Sequence, residues 1–320
     1  KISHKIRRSK CLISNSKKIK RILDLGNHPF ADTFISKTDL KKKEPILPLK
    51  ILLCKNSGCV QTEIKTNPFK RYNLYNYSYT SSNSDFSRKH WNNFCTNIIK
   101  ELYLKNGDKI FEVGSNDGYL LKNFERKGFF TLGIDASKYM SRIANKKKIK
   151  TECCIFNYLN SNKIKKKFGK CNILIANNVL NHSDNPNEFI RGVYNILDKN
   201  GTFIFELPYW LDTVKSKKFD QIYHEHVTYF SVKMAFNLLK RHNFEIKKIK
   251  KVNYHGGSIR IYAKKNWHPK KIKPVKSLIM KEENFGLFTI NTYKKLSHFI
   301  NLQKKKILKK IKILKEKGGV

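Results

Sequence analysis

Lys109-Ile110-Phe111-Glu112-Val113-Gly114-Ser115-Asn116-Asp117-Gly118 is the stretch on which the reading of the fold turns. Lys109–Val113 has the make-up of a short strand, and the residues from Tyr119 to Lys127 have that of a helix. Between them, two glycines bracket a polar turn. Gly114 permits a tight reversal, and Gly118 lets the backbone pass close to a ligand. A second short strand, Thr131–Asp135, ends on an acid 23 positions after Glu112. An acid there can accept both hydroxyls of a ribose. A dinucleotide fingerprint reads G-x-G-x-x-G; this loop reads G-x-x-x-G with an acid before the first glycine. That variant suits S-adenosylmethionine, whose amino acid group needs polar partners where a dinucleotide places its pyrophosphate. Glu112, Gly114, Asn116, Asp117, Gly118 and Asp135 are the expected cofactor contacts. An ordinary strand–helix turn also favours Gly and Asn-Asp, so the acids in register with both glycines carry the inference.

Working outward, the strand-then-helix alternation continues to about Pro208. Ser137–Asn145 and Asn187–Leu197 read as helices, and Asn172–Ala176 and Thr202–Glu206 as apolar strands. Such alternation predicts a parallel sheet covered by helices, an α/β fold. Glu245–Val252 and Ser258–Lys264, joined around Tyr254-His255-Gly256-Gly257, predict an antiparallel pair at the sheet edge. Residues 1–66 differ: short apolar pieces alternate with Pro29, Pro45 and Pro48, as in a small loop-rich module. Residues 67–107 form an aromatic and polar linker that turns helical near Asp85, 108–265 the α/β domain, and 266–320 a helical C-terminal start. In the last segment Ile307, Leu308, Ile311 and Leu314 share one helix face with lysines opposite, which predicts a packed or partner-facing stripe.

The 320 residues include 67 Lys and Arg against 24 Asp and Glu, for a net charge of +43. Alone, this points to nucleic acid or an anionic surface. The excess is mostly Lys, however, spread through every segment and mixed with Asn and Ile, as AT-rich coding produces. Arg, the residue of bidentate phosphate and base recognition, is scarce, so nucleic acid is not the expected partner. No window approaches the roughly 18 apolar residues of a membrane span. Seven cysteines form an odd set without a regular framework, and no apolar signal segment opens the chain. Free thiols in a cytoplasmic protein are the expectation.

Several strings then occur in a telling order. They are Leu23-Asp24-Leu25-Gly26 with Pro29; Tyr77-Ser78-Tyr79-Thr80-Ser81-Ser82; the Gly114–Gly118 loop; Asn177-Asn178-Val179-Leu180-Asn181-His182; Glu206-Leu207-Pro208-Tyr209; Phe219-Asp220-Gln221-Ile222-Tyr223-His224-Glu225-His226; and His255-Gly256-Gly257-Ser258-Ile259-Arg260. Together they resemble the sugar C-methyltransferase family, over nearly the whole chain. The resemblance implies a Rossmann-like class I methyltransferase sheet between an N-terminal zinc-ribbon-like module and a C-terminal domain that helps hold a nucleotide sugar. It also implies methylation of carbon 3 of a nucleotide-linked 4-keto-6-deoxyhexose. The chain stops where the C-terminal domain's own nucleotide fold should begin, so most of that domain is expected to be missing. A fragment that binds cofactor without turnover is the alternative. A nucleic-acid methyltransferase is a weaker one, since Glu206-Leu207-Pro208-Tyr209 lacks the paired prolines of amino-methylating enzymes.

Methylating a carbon beside a ketone requires a base near that carbon and donors facing the oxygen that becomes negative. Tyr223, Glu225 and His226 offer those types within one tetrapeptide, provided a loop converges them. His226 is the expected base, because an imidazole titrates near working pH. His182 falls at the carboxyl edge of the sheet, where ligands of open α/β folds bind, though it could instead cap the next helix. The resemblance adds Tyr77 to the pocket and Asn177 beside the cofactor. It also implies two Cys-x-x-Cys zinc knuckles, but here Cys11 is followed by Ser14, and Cys54 by Ser57, with Cys59 two residues late. Cys11, Cys54 and Cys59 are the expected metal ligands, and a metal-free module is the alternative.

Overall fold

The computed structural model describes residues 6–31, 37, 40–41, 44–68 and 80–318. Seven strands build the central sheet: β6 (Lys109–Val113), β7 (Phe130–Asp135), β8 (Thr151–Cys153), β9 (Cys171–Ile175), β10 (Leu197–Pro208), β12 (Phe244–Val252) and β13 (Ser258–Lys265). Their order is β12-β13-β10-β9-β6-β7-β8. β6 to β10 run parallel, and β13 is antiparallel to both β10 and β12. This is the class I methyltransferase-like sheet the sequence predicts. The chain reverses its direction of travel between β6 and β9, the switch point at which open sheets leave a crevice outside the strand ends.

Helices cover both faces, which is why the inner strands are apolar throughout rather than alternating. On one face Ile110, Ile173, Ile175 and Ile204 pack with Trp91, Phe94 and Ile98 of α1 (Asp85–Leu102) and with Leu121 and Phe124 of α2 (Tyr119–Glu125). On the other, Phe111, Leu174, Phe203 and Phe205 meet α5 (Pro186–Ile196) and α7 (Val232–Arg241). Each fully buried side chain of this size contributes about 1.5–3 kcal/mol. Between β7 and β9 lie α3 (Lys138–Lys146) and α4 (Tyr158–Phe168), and α6 (Trp210–Lys215) follows β10. Ser137, Asn157, Asn185 and Ser231 cap α3, α4, α5 and α7 through their side chains, each worth about 1 kcal/mol.

The N-terminal module is not an independent ball. Its strands β2 (Lys20–His28), β3 (Leu47–Cys54) and β4 (Cys59–Thr62) form a sheet whose fourth strand is β11 (Thr228–Tyr229), supplied by the chain between β10 and β12, while β1 (Ile6–Arg7) pairs with β5 (Ile64–Lys65). Thr228 pairs with Gln61 and Tyr229 with Val60. The Tyr-His-Glu-His string therefore leads directly into this shared sheet.

At the C-terminal end, α8 (Lys273–Asn284) sends the buried Glu282 to the first turn of α7, where it accepts from the Val232 and Lys233 amides and from Tyr209 Oη. In α9 (Ile290–Glu316), Tyr293, Leu296 and Ile300 are buried. The expected stripe does not pack within the described residues: Ile307, Leu308, Ile311 and Leu314 are 42–55% exposed. Only the first turns of α9 reach the body of the molecule; its later turns run on past it.

Candidate active site

The loop after β6 is built by backbone geometry that few residues tolerate. Gly114 has φ +74°, and a Cβ there would lie 2.8 Å from the Cβ of Val179. Asn116 (φ +52°) and Gly118 (φ +78°) complete the turn into α2. Asp135, at the end of β7, clamps the loop: one carboxylate oxygen accepts from the Asn116 amide and the other from the Ser137 amide, both at 2.8 Å. Each oxygen keeps a second lone pair for a ligand hydroxyl.

These strand ends open onto a cavity of about 410 Å³. Glu112, Gly114, Asn116, Asp135, Asn177 and His182 all line it, so six of the expected side chains or backbones converge. Trp91, Leu120, Ile134, Phe156, Leu159 and Phe189 supply apolar wall. Among the described residues, Glu112 Oε2, Ser115 Oγ and both amide atoms of Asn177 are buried without a protein hydrogen-bond partner. Such atoms are costly unless something bonds them. Burial, with Asp117 and Asp135 nearby, raises the Glu112 carboxyl well above its usual range. Burial likewise raises Asp135, against the amide bonds it accepts. A cationic ligand would relieve both. The donor set fits S-adenosylmethionine: hydroxyl acceptors at Asp135, polar groups at Glu112 and Asn177, and an apolar wall for a base.

Two expected contacts sit elsewhere. Asp117 does not line the cavity: its carboxylate accepts from Ser81 Oγ (2.7 Å), Ser82 Oγ (2.6 Å) and Lys147 Nζ (2.9 Å). Burial works to raise its pKa, but these bonds outweigh it and hold Asp117 below its usual value. It ties the Ser81-Ser82 segment to the loop. Gly118 borders a separate recess with Asp117 and Lys147; its missing Cβ makes room for Ile149, 2.9 Å away, rather than for a ligand in the main cavity.

The Tyr-His-Glu-His string adopts the loop that convergence requires. The His226 amide donates to the Tyr223 carbonyl in a turn (3.2 Å). His226 Nδ1 lies 2.8 Å from the Gln221 carbonyl, and Nε2 lies 2.8 Å from Tyr223 Oη. A carbonyl only accepts, so Nδ1 carries the ring proton and Nε2 accepts from the phenol. The His182 and His226 ring centroids are 5.2 Å apart, so the tetrapeptide lies behind His182; Tyr223, Glu225 and His226 do not themselves line the cavity, and His226 borders a separate small recess with Asn181 and Thr228. Helix capping does not occupy His182, because Asn185 caps α5. Glu225 is buried beside the turn, while His224 packs edge-on against Phe30 of the N-terminal module. One expectation needs revision: burial pushes the His226 imidazole down to about 4, despite its bond to Gln221, so it does not titrate near neutrality. Tyr77 lies outside the described residues.

Cys11 and Cys54 face each other across the N-terminal module, but Cys59 does not join them. Its thiol donates to Gln61 Oε1 at 3.4 Å. Among the described residues no three His, Cys, Asp or Glu side chains converge as a metal site. The reason is the two-residue offset, which places Ser57 at the corner.

Sequence reasoning missed Trp91 and the Cys154–Asn157 wall after β8. It also missed the buried cluster in which Glu206 accepts from Arg260 and pairs with His90, each at 2.8 Å. Glu206 and Arg260 both lie in strings quoted above, and their direct cross-strand pairing is what unites those strings.

Three family models match successive parts of this chain. A "Methyltransferase domain" family model matches residues 87–249, just over half of the chain. A "Putative zinc binding domain" model matches residues 11–72, and a "C-methyltransferase C-terminal domain" model residues 253–320. The C-methyltransferase NovU of Streptomyces niveus is 24% identical over 277 residues, covering 86% of this chain. This chain spans 66% of that relative's length. Among solved structures, magnesium protoporphyrin IX methyltransferase (ChlM) from Synechocystis PCC 6803 with bound SAH aligns with 55% of this chain and 82% of its own, at TM-score 0.44 and 16% identity. The PH0226 protein from Pyrococcus horikoshii OT3 aligns with 63% of this chain and 100% of its own, at TM-score 0.46 and 14% identity. The three domain matches, in this order, bear out the C-methyltransferase resemblance, and through the central one the chain belongs to the methyltransferase-domain family.

Proposed function

We propose that the protein is an S-adenosylmethionine-dependent C-methyltransferase that deprotonates carbon 3 of a nucleotide-linked 4-keto-6-deoxyhexose and methylates the enolate. The observation that carries this reading is the cavity itself. It joins the unbonded Glu112 Oε2 and Asn177 amide at the sheet's switch point to His182, whose ring neighbours the Tyr223–His226 pair. Asp135 would hold the ribose, Glu112 and Asn177 the amino acid end, and Phe156 with Leu159 the base. When bound, the cofactor supplies an electrophilic methyl group.

The chain's own residues handle the proton. Tyr223 Oη takes the carbon-bound hydrogen as it gives its own proton to His226 Nε2, so the charge ends on an imidazolium steadied by the Gln221 carbonyl. His182, in the cavity wall, is placed to donate to the ketone oxygen. Glu225, buried at the turn, orients the pair, and Tyr77 completes the pocket in this reading. Because His226 sits near 4 in the free protein, the base stays neutral and ready across the physiological range.

The four-part division at residues 66, 107 and 265 is retained, with the middle parts meeting at the cavity. A cytoplasmic setting suits seven free thiols, and among the described residues no helix is long and apolar enough to cross a membrane. The test is incubation with methyl-labelled cofactor and a panel of 4-keto-6-deoxy sugar nucleotides. Label on a ring carbon supports the proposal; bound cofactor with no label on any panel member defeats it.

A further inference from the structure

In the N-terminal module two turns each carry a cysteine with a serine three residues on. In Cys11-Leu12-Ile13-Ser14 and Cys54-Lys55-Asn56-Ser57, serine stands at the second corner of each turn. The turns still close on one another. Cys11 Sγ lies 3.2 Å from Ser57 Oγ, and Ser14 Oγ lies 3.8 Å from Cys54 Sγ. The Ile13 and Ser14 amides both point at Cys11 Sγ, at 3.4 Å. Ser57 Oγ also accepts from the Cys59 amide at 3.2 Å, so that hydroxyl is engaged on two sides. Cys11 and Cys54 are each 1% exposed.

The donor chemistry does not fit zinc. Structural zinc sites are closed by four thiolate or imidazole ligands, and a neutral hydroxyl is a poor substitute. A thiol and a hydroxyl can instead hydrogen-bond to each other, and the 3.2 Å and 3.8 Å Cys–Ser contacts are of that kind. The apolar surroundings Ile13, Ile51, Leu53 and Val60 make such bonds worth keeping, since an unpaired polar group there is costly.

We propose that Cys11, Ser14, Cys54 and Ser57 form a metal-free thiol–hydroxyl cluster at the four corners of a zinc knuckle, and that restoring the two thiols would make it a zinc site. The cluster closes the β3–β4 turn, and β4 pairs with β11 directly after His226. The module thus braces the catalytic loop by hydrogen bonds and packing alone.

The test uses the full chain expressed in zinc-supplemented medium, with metal content read by plasma mass spectrometry and unfolding by circular dichroism. The unsubstituted protein should carry well under about 0.1 zinc per chain, and EDTA should not move its Tm. The Ser14→Cys/Ser57→Cys variant should carry about one zinc per chain and lose Tm with EDTA. Loaded with cobalt, it should show the intense visible bands of a tetrahedral thiolate site. About one zinc per chain in the unsubstituted protein, with a chelator-sensitive Tm, overturns the proposal. If the double variant does not fold, the single variants Ser14→Cys and Ser57→Cys are assayed in the same way. Tighter metal retention than in the unsubstituted chain supports the corner assignment, and none in either overturns it.

Discussion

The loop after β6 and the paired Cys–Ser turns of the N-terminal module are both built from tight turns, yet they make different demands on their residues. In the loop, Gly114 needs φ +74° and clearance from Val179, and Asp135 must reach two amides at once. A Cβ at position 114 would meet both the strained φ and Val179. In the knuckle the requirement is only that two turns be held together inside an apolar shell, and serine hydroxyls 3.2 and 3.8 Å from thiols can do that. A site that must shape a reacting ligand tolerates little; a cluster that only fastens a fold needs no more than well-placed hydrogen bonds.

Substitutions can break or sharpen that contrast. The largest effect is expected at the proton pair: Tyr223→Phe should slow methyl transfer by about 10²–10⁴-fold, while calorimetry finds S-adenosylhomocysteine affinity within about twofold of the starting value. Next is Gly114→Ala, where a strained φ of about 1–2 kcal/mol adds to the contact with Val179. Affinity for S-adenosylhomocysteine should fall by about 100-fold, the order such terms jointly reach. Acid sensitivity is third. Burial lowers His224, His226, His242 and His255 in the folded protein. Between their folded values and about 6.5, the unfolded chain therefore binds more protons. The histidine share of stability is full above that range and falls as pH drops through it, with His226 contributing about 1.4 kcal/mol per pH unit down to about 4, while Glu112, Asp135 and Glu282, raised by burial, act in the opposite sense. Urea titrations at pH 7 and 5 on the starting protein and on His226→Gln isolate the His226 share: the stability difference between the two should shrink at pH 5. Smallest is Ser14→Ala in the knuckle, a loss of about 1 kcal/mol seen as a Tm shift of a few degrees, with cofactor affinity unchanged.

Much of this was legible in the chain. Strand β6, the glycine turn and Asp135 follow from local patterns, because strand–turn–helix chemistry is encoded within about thirty residues. The quoted strings marked His182 and the Tyr223–His226 turn. What escaped depends on contacts between distant segments. β8 is only Thr151–Cys153, too short for a periodic signal, so the wall at Phe156 went unseen. β11 is two residues long and exists because Val60 and Gln61 lie beside it. The direction of Asp117, toward Ser81 and Ser82 rather than the cavity, is a property of the folded turn. The low pKa of His226 comes from burial, which spacing cannot report.

The central claim is that the β6 loop and the His-rich turn serve one cavity. Histidine-selective NMR during titration with S-adenosylhomocysteine tests it without any sugar substrate. The account predicts that the His182 and His226 ring resonances shift in step with one-to-one binding, while His28, at the far side of the N-terminal sheet from β11, stays put. Saturable binding that leaves both His182 and His226 unmoved would contradict it.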